Sequence, residues 1–162
     1  WNMMKVNVAS NILKVLLILF AIGAIFFGAY VLPIMAEDML VANPELDYVK
    51  MPILIICELL LVMLLIGIGI ILYLLRTFDQ GNTFSQRFTR GMEILIGMCI
   101  LASIGLILLL SYMGSFGGPG PLLVIVMTGV IFLIWIVAAV TMLVRSIVKK
   151  AMVYKDDYDL TV

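Results

Sequence analysis

The stretch MPILIICELLLVMLLIGIGIILYLLR, Met51 to Arg76, decides how this chain is built. From Ile53 to Leu75 it holds one charged side chain, Glu58, in otherwise apolar sequence. A helix needs about 17–25 apolar residues to cross roughly 30 Å of hydrocarbon. Three more runs have similar character: Ile12 to Leu32, Ile94 to Leu110 and Leu122 to Val144. Strands are excluded by the length of the runs and their lack of alternation. Inside lipid, every backbone N–H and C=O must pair within its own segment, so long single runs become helices.

Composition agrees. Of 162 residues, 65% are hydrophobic and 12% charged. A soluble domain has about 45–50% and about 25% respectively. The expectation is an all-α integral membrane protein of four transmembrane helices, forming an antiparallel bundle of two hairpins. A single domain spans residues 1–154, with helices over about 11–33, 52–80, 84–112 and 121–154, and a cytoplasmic tail covers 155–162.

The net charge is zero, but its distribution is polarised. Lys5 and Lys14, then Arg76, Arg87 and Arg90, then Arg145, Lys149, Lys150 and Lys155 flank the two termini and the second connection. The first connection holds one lysine, Lys50, beside Glu37, Asp38, Glu45 and Asp47. The third, MGSFGGPGP, holds no charge. Lys and Arg accumulate in cytoplasmic segments. Both termini are therefore expected in the cytoplasm, with the acidic and glycine-rich connections facing outward. The first run exceeds the apolar core of a signal peptide and lacks a small-x-small site, so it is expected to be retained. A native start is expected at Met3 or Met4, after Trp1 and Asn2.

The chemistry on offer is sparse. There is no histidine, which removes the commonest metal ligand and general base. Cys57 and Cys99 fall at different depths, so no disulfide is expected. The twelve methionines are scattered, and only Met35, Met39 and Met51 could gather near the first connection; lipid-compatible packing accounts for them. GSFGGPGP lacks the Gly-Lys-Ser/Thr of a nucleotide loop. No cofactor and no direct nucleic-acid binding are expected, because the basic residues follow topology.

Local signals mark the joints. Pro33 should end the first helix, and Asn43 before Pro44 suits a cap with proline at the first helical position. Pro52 should break or kink the second crossing. Gly81 suits the left-handed position that closes a helix. Thr83 with Gln86 reads as a capping box opening the third helix. Phe84 and Phe88, four apart, share a face expected at the lipid headgroups, where Arg87 and Arg90 would meet lipid or a partner. Glu93 should pair with Arg90 one turn away. After Val144, Ile147, Val148, Ala151 and Met152 recur at helical spacing, which predicts a continuation along the membrane surface. Ala24 and Gly28, Gly67 and Gly69, Gly97, Ser103 and Gly105, and Ala138 and Ala139 allow close helix contact.

Glu58 is the candidate polar site. A charge at the bilayer centre costs about 2.5–3.5 kcal/mol on insertion scales, and Glu58 lies about 10 Å in from the boundary by helical rise. No lysine or arginine shares its depth. Thr128, Tyr30 and Tyr112 are the nearest polar candidates. A protonated or water-contacting Glu58 facing the bundle interior or a subunit interface follows. It could serve as an ion or proton site, or simply as a hydrogen bond between helices.

NPELDYVKMP before the second crossing, GNTFSQRFTRGMEIL entering the third, and the ending DYDLTV together resemble a family of small bacterial membrane proteins, domain-of-unknown-function family 2975. That family shows an Asn-x-x-Phe-Ser segment, matched here by Phe84 and Ser85, and ends in Glu-Asn-Asp-Leu-Thr-Ile/Val, matched by Asp159, Leu160, Thr161 and Val162. The spacing of Gly81, Asn82 and Thr83 departs from the pattern, as does Tyr158 where asparagine is common. Members are often encoded beside a small helix-turn-helix regulator of the Cro/repressor type. The resemblance therefore implies a regulatory role, with Asp159 to Val162 as the contact. It implies no reaction.

The chain thus reads as a non-enzymatic regulatory, sensory or accessory partner of a cytoplasmic helix-turn-helix regulator or of another membrane protein. The alternative is a small homo-oligomeric transporter or channel built on Glu58.

Overall fold

The computed structural model describes residues 2–81, 83–115 and 120–160, and the side chains of all but residues 2, 3 and 159 among them. Helix α1 (Asn2–Phe26) passes through a π-helical turn (Phe27–Val31) into α2 (Leu32–Ala42). A 3-10 turn (Pro44–Leu46) leads to α3 (Asp47–Asp79), followed by α4 (Gln86–Gly114) and α5 (Pro121–Leu160). Four stretches are long and apolar enough to cross a membrane: Met4–Ala42, Pro44–Asp79, Gln86–Gly114 and Pro121–Tyr158.

Large apolar side chains are exposed along every one of these, among them Leu19, Phe20, Leu59, Leu108, Leu133 and Leu143. The accessible surface is 11048 Å², against about 8,000 Å² for a compact soluble monomer of 18.0 kDa. Water does not solvate such a surface without driving association. Hydrocarbon does, at no cost.

The bundle is open. α1 packs on α3, α3 on α4, and α4 on α5. Among the described residues, α5 approaches neither α1 nor α3 to within 8 Å between Cα atoms. Contacts at one end join the neighbours: Lys14 meets Asp79, Leu74 meets Gly91, and Glu93 meets Arg145. Lys14, Arg76, Arg87, Arg90, Arg145 and Lys149 consequently gather at one end, here called the basic end. Glu37, Asp38, Glu45 and Asp47 lie at the other.

The core sits at the basic end. Leu74 of α3, Phe88, Met92 and Leu95 of α4, and Val148 of α5 form its buried centre, flanked by Ile70, Ile71 and Met152. Gly91 lets α3 come close to α4. A Cβ there would lie 2.6 Å from Leu74 Cδ2, inside van der Waals contact. At the acidic end, α2 folds against the start of α3 and Val49 is buried.

Several local expectations are corrected. The first helix begins at Asn2 rather than near residue 11 and does not stop at Pro33. In the π turn the Leu32 N–H reaches back to the Phe27 carbonyl, and this widened turn gives room to the proline ring that follows. Helix α3 passes Pro52 unbroken; so near the helix start, the ring removes only the bond to the Tyr48 carbonyl. Asn43 closes α2 through its backbone N–H to the Met39 carbonyl, 2.8 Å, and makes no side-chain cap onto the following turn. Ser85, not Thr83, opens α4, accepting a hydrogen bond from the Phe88 N–H at 3.3 Å. Starting the helix two residues later places Phe88 at its third position and in the core, while Phe84 stays exposed ahead of it. Gly81 does take the left-handed conformation, φ +79°, after the end of α3. Finally, α5 runs to Leu160 as one helix, so 155–160 is not a tail, and Val148 and Met152 turn to α4 instead of lying on a membrane surface.

The two phenylalanines give a direct check. Phe88→Ala should cost about 3–5 kcal/mol of stability through the cavity it leaves. Phe84→Ala should stay within about 0.5 kcal/mol. Reversible unfolding in mixed micelles, followed by circular dichroism, separates the two; similar losses would contradict this placement of the core.

Candidate functional site

Glu58 lies in the first half of α3 and is half-buried. Its carboxylate faces Gly28, in the π turn of the neighbouring helix. A Cβ on Gly28 would sit 3.2 Å from Glu58 Oε2, 3.8 Å from Oε1 and 2.9 Å from Leu61 Cδ1. Glu58 and Leu61 are three apart, so one face of α3 presents both. Only a glycine leaves room for both against the helix backbone. The site lies between α1 and α3, within the chain.

The π turn contributes chemistry as well as space. Such turns are rare and occur frequently at functional sites. Its bonding pattern assigns the Gly28 carbonyl to the N–H of residue 33, which is proline and has none. A helix in hydrocarbon needs such a carbonyl satisfied by a neighbouring group or by water. The Glu58 side chain lies beside this same turn.

Thr128 and Tyr30 do not join it. Thr128 is on exposed α5, donates to the Val124 carbonyl of its own helix at 2.8 Å, and belongs to the helix that does not approach α3. Tyr30 shares the π turn with Gly28, but its exposed ring lies beside Phe26, 5.1 Å between centroids. Tyr112 is exposed near the end of α4. What Glu58 faces is the backbone turn at Gly28.

The basic end holds the ion pairs. Lys14 of α1 is hydrogen-bonded to Asp79 of α3. Arg145 of α5 donates through both Nε, at 3.1 Å, and Nη2 to Glu93 of α4, and Lys149 Nζ lies 3.6 Å from the same oxygen. Glu93 thus pairs across helices, not with Arg90. Sequence spacing favoured the local partner, but helix packing brings Arg145 to the other side. These half-exposed pairs fix which helix ends meet more than they add stability.

Arg87 and Arg90 are both exposed and edge a groove between α3 and α4. Phe84 is exposed nearby in sequence, whereas Phe88 is turned inward. Of the terminal candidates, Leu160 is exposed at the end of α5. The side chain of Asp159, and Thr161 and Val162, lie outside the described residues. Sequence reasoning flagged Gly28 only as a small residue and missed the π turn. Its signal was Gly28 placed five residues ahead of Pro33.

Four apolar crossings, broadly exposed apolar surfaces and, among the described residues, ion pairs confined to one end define a multi-pass helical membrane protein. Residues 34–162 match the family model described as Protein of unknown function (DUF2975), and the chain belongs to that family. No curated protein and no solved structure matches the chain.

The Gly28 contact is open to a double-mutant test. Gly28→Val should destabilise by about 1–3 kcal/mol through overpacking. Adding Leu61→Ala should return part of that loss, since the two sites share the same space. Unfolding titrations of the four proteins measure the coupling; strict additivity would mean the side chains do not meet.

Proposed function

We propose that this chain is a non-enzymatic regulatory or accessory protein of the bacterial plasma membrane, with both termini in the cytoplasm. In this reading the end of α5 engages a cytoplasmic helix-turn-helix regulator, or the helices engage another membrane protein. The observation that carries it is the length of α5. The helix continues for 16 residues past Val144, about 24 Å at 1.5 Å per residue. Its inner side, Val148 and Met152, is spent on α4. Val153, Tyr154 and Leu160 stay exposed beyond the last apolar run, alongside Lys149, Lys150 and Lys155. A helix that presents apolar anchors outside lipid suits insertion into a partner's groove. The grouping of arginines and lysines at the same end supports a cytoplasmic location for it.

Orientation is checked with membrane-impermeant maleimide on intact cells. Glu45→Cys should label, and Asp157→Cys should label only after lysis. The reverse pattern removes the proposal. For the partner, tagged protein is purified in mild detergent and bound proteins are identified by mass spectrometry. A helix-turn-helix protein should be retained by the full chain. Retention should fall more than about tenfold with Tyr154→Ala combined with Leu160→Ala, as loss of two interface anchors predicts. Unchanged retention would rule out α5 as the contact.

A second reading is favoured by the Glu58–Gly28 arrangement: a small oligomeric transporter or channel in which this carboxylate carries a proton or binds a cation. An intramembrane carboxylate beside an underused carbonyl offers both a titratable group and a ligand oxygen. Proteoliposomes loaded with a pH-sensitive dye should then show a proton leak that Glu58→Gln abolishes; a leak indifferent to Glu58→Gln removes this reading.

A further inference from the structure

The groove at the basic end points to a ligand of a different kind. It lies between α3 and α4 and is lined by Ile66, Gly69, Ile70, Tyr73 and Ile94, with Arg87 and Arg90 at its edge and Gly91 in its floor. Its volume is about 360 Å³, within the roughly 300–1,000 Å³ of small-molecule sites. Two glycines shape it. Gly91 draws the helices together beneath it, and Gly69 leaves it open, since a Cβ there would meet nothing within 4 Å.

The charge of the groove is one-sided. Asp79 is engaged by Lys14, and Glu93 by Arg145 and Lys149. Among the described residues, no carboxylate pairs with Arg87 or Arg90 within 4 Å. Two guanidinium groups stand above an apolar trough that runs inward from Tyr73 to Ile66, about 10 Å by helical rise. Water fills such a trough poorly, and an inorganic anion would leave it empty. A molecule with a phosphate at one end and a hydrocarbon chain at the other matches both halves.

We propose that this groove holds one anionic phospholipid, its phosphate on Arg87 and Arg90 and one acyl chain against Ile66, Gly69, Ile70 and Ile94. Guanidinium groups bind phosphate oxygens through paired N–H donors, with directionality that a lysine lacks. The Tyr73 ring, exposed at the mouth, has the amphipathic character that suits the headgroup boundary. The lipid would fill the seam between the two central helices and tie the start of α4 to α3. The inference needs only the bilayer, and stands whether or not α5 has a protein partner.

The test is native mass spectrometry of the full chain released from mild detergent. The probes are phosphatidylglycerol and phosphatidylcholine with identical acyl chains, and glycerol phosphate. The wild type should retain a single phosphatidylglycerol, about thirtyfold tighter than phosphatidylcholine, on a contribution of one basic side chain each from Arg87 and Arg90. Arg87→Gln with Arg90→Gln should erase the preference. Gly69→Leu, which fills open space, should lower retention of both lipids while helicity and monodispersity stay unchanged. Equal retention of the two lipids by the wild type, or a preference that survives loss of both arginines, overturns the headgroup assignment. Glycerol phosphate binding as well as the whole lipid, or Gly69→Leu without effect, overturns the acyl-chain assignment.

Discussion

Backbone polar groups cannot be left unpaired in hydrocarbon, and the rest of this structure depends on that. Each unmatched N–H or C=O in lipid costs several kcal/mol on the order seen for apolar transfer. The chain answers with four long helices, so nearly all backbone bonding is internal to a crossing. Where the pattern is interrupted, a device is at hand. Pro52 falls near a helix start, and Gly81 and Ser85 close and open the helices on either side of a short connection. Hydroxyls that stay in the crossings, Ser103, Thr128 and Thr141, donate to carbonyls of their own helices. The π turn is the exception, and the Glu58 carboxylate, set deep in a crossing, lies against it.

Without a hydrophobic force between helices in lipid, packing must come from close approach and specific contacts. Gly91 and Gly105 supply the approach between α3 and α4, where a Cβ would press on Leu74 and Leu60. Cross-helix ion pairs supply the register at the basic end. These two means account for a bundle whose buried set is small and clustered toward one end. Function is expected in what the packing leaves over: a carboxylate at a widened turn, an arginine-edged groove and a projecting helix.

The crossings were legible because apolar run length is a strong signal and needs no knowledge of neighbours. Family membership was legible from short motifs around Phe84, Ser85 and the chain end. What failed was anything decided by three-dimensional approach. Phe88 looked like a headgroup residue because Thr83 and Ser85 are both good caps and only packing chooses between them. Glu93 looked paired with Arg90 because helical spacing shows only partners on the same helix. Thr128 was matched to Glu58 by depth alone, and depth says nothing about which helices adjoin. Pro33 was read as a stop because proline excludes an ordinary helical bond, and a π turn is a solution no local rule favours.

The row-like order of the crossings carries a consequence for biogenesis. Among the described residues, every close backbone approach between crossings joins two that are consecutive along the chain, so the main helix pairs need not wait for a distant stretch to be synthesised. Each newly inserted hydrophobic span finds its partner already in the bilayer, directly beside it. Assembly can proceed stepwise from the ribosome, with short loops to close and little scope for mispairing. Among the described residues, the side of α1 away from α3 and the side of α5 away from α4 meet no other crossing, which leaves them to lipid during this stepwise assembly.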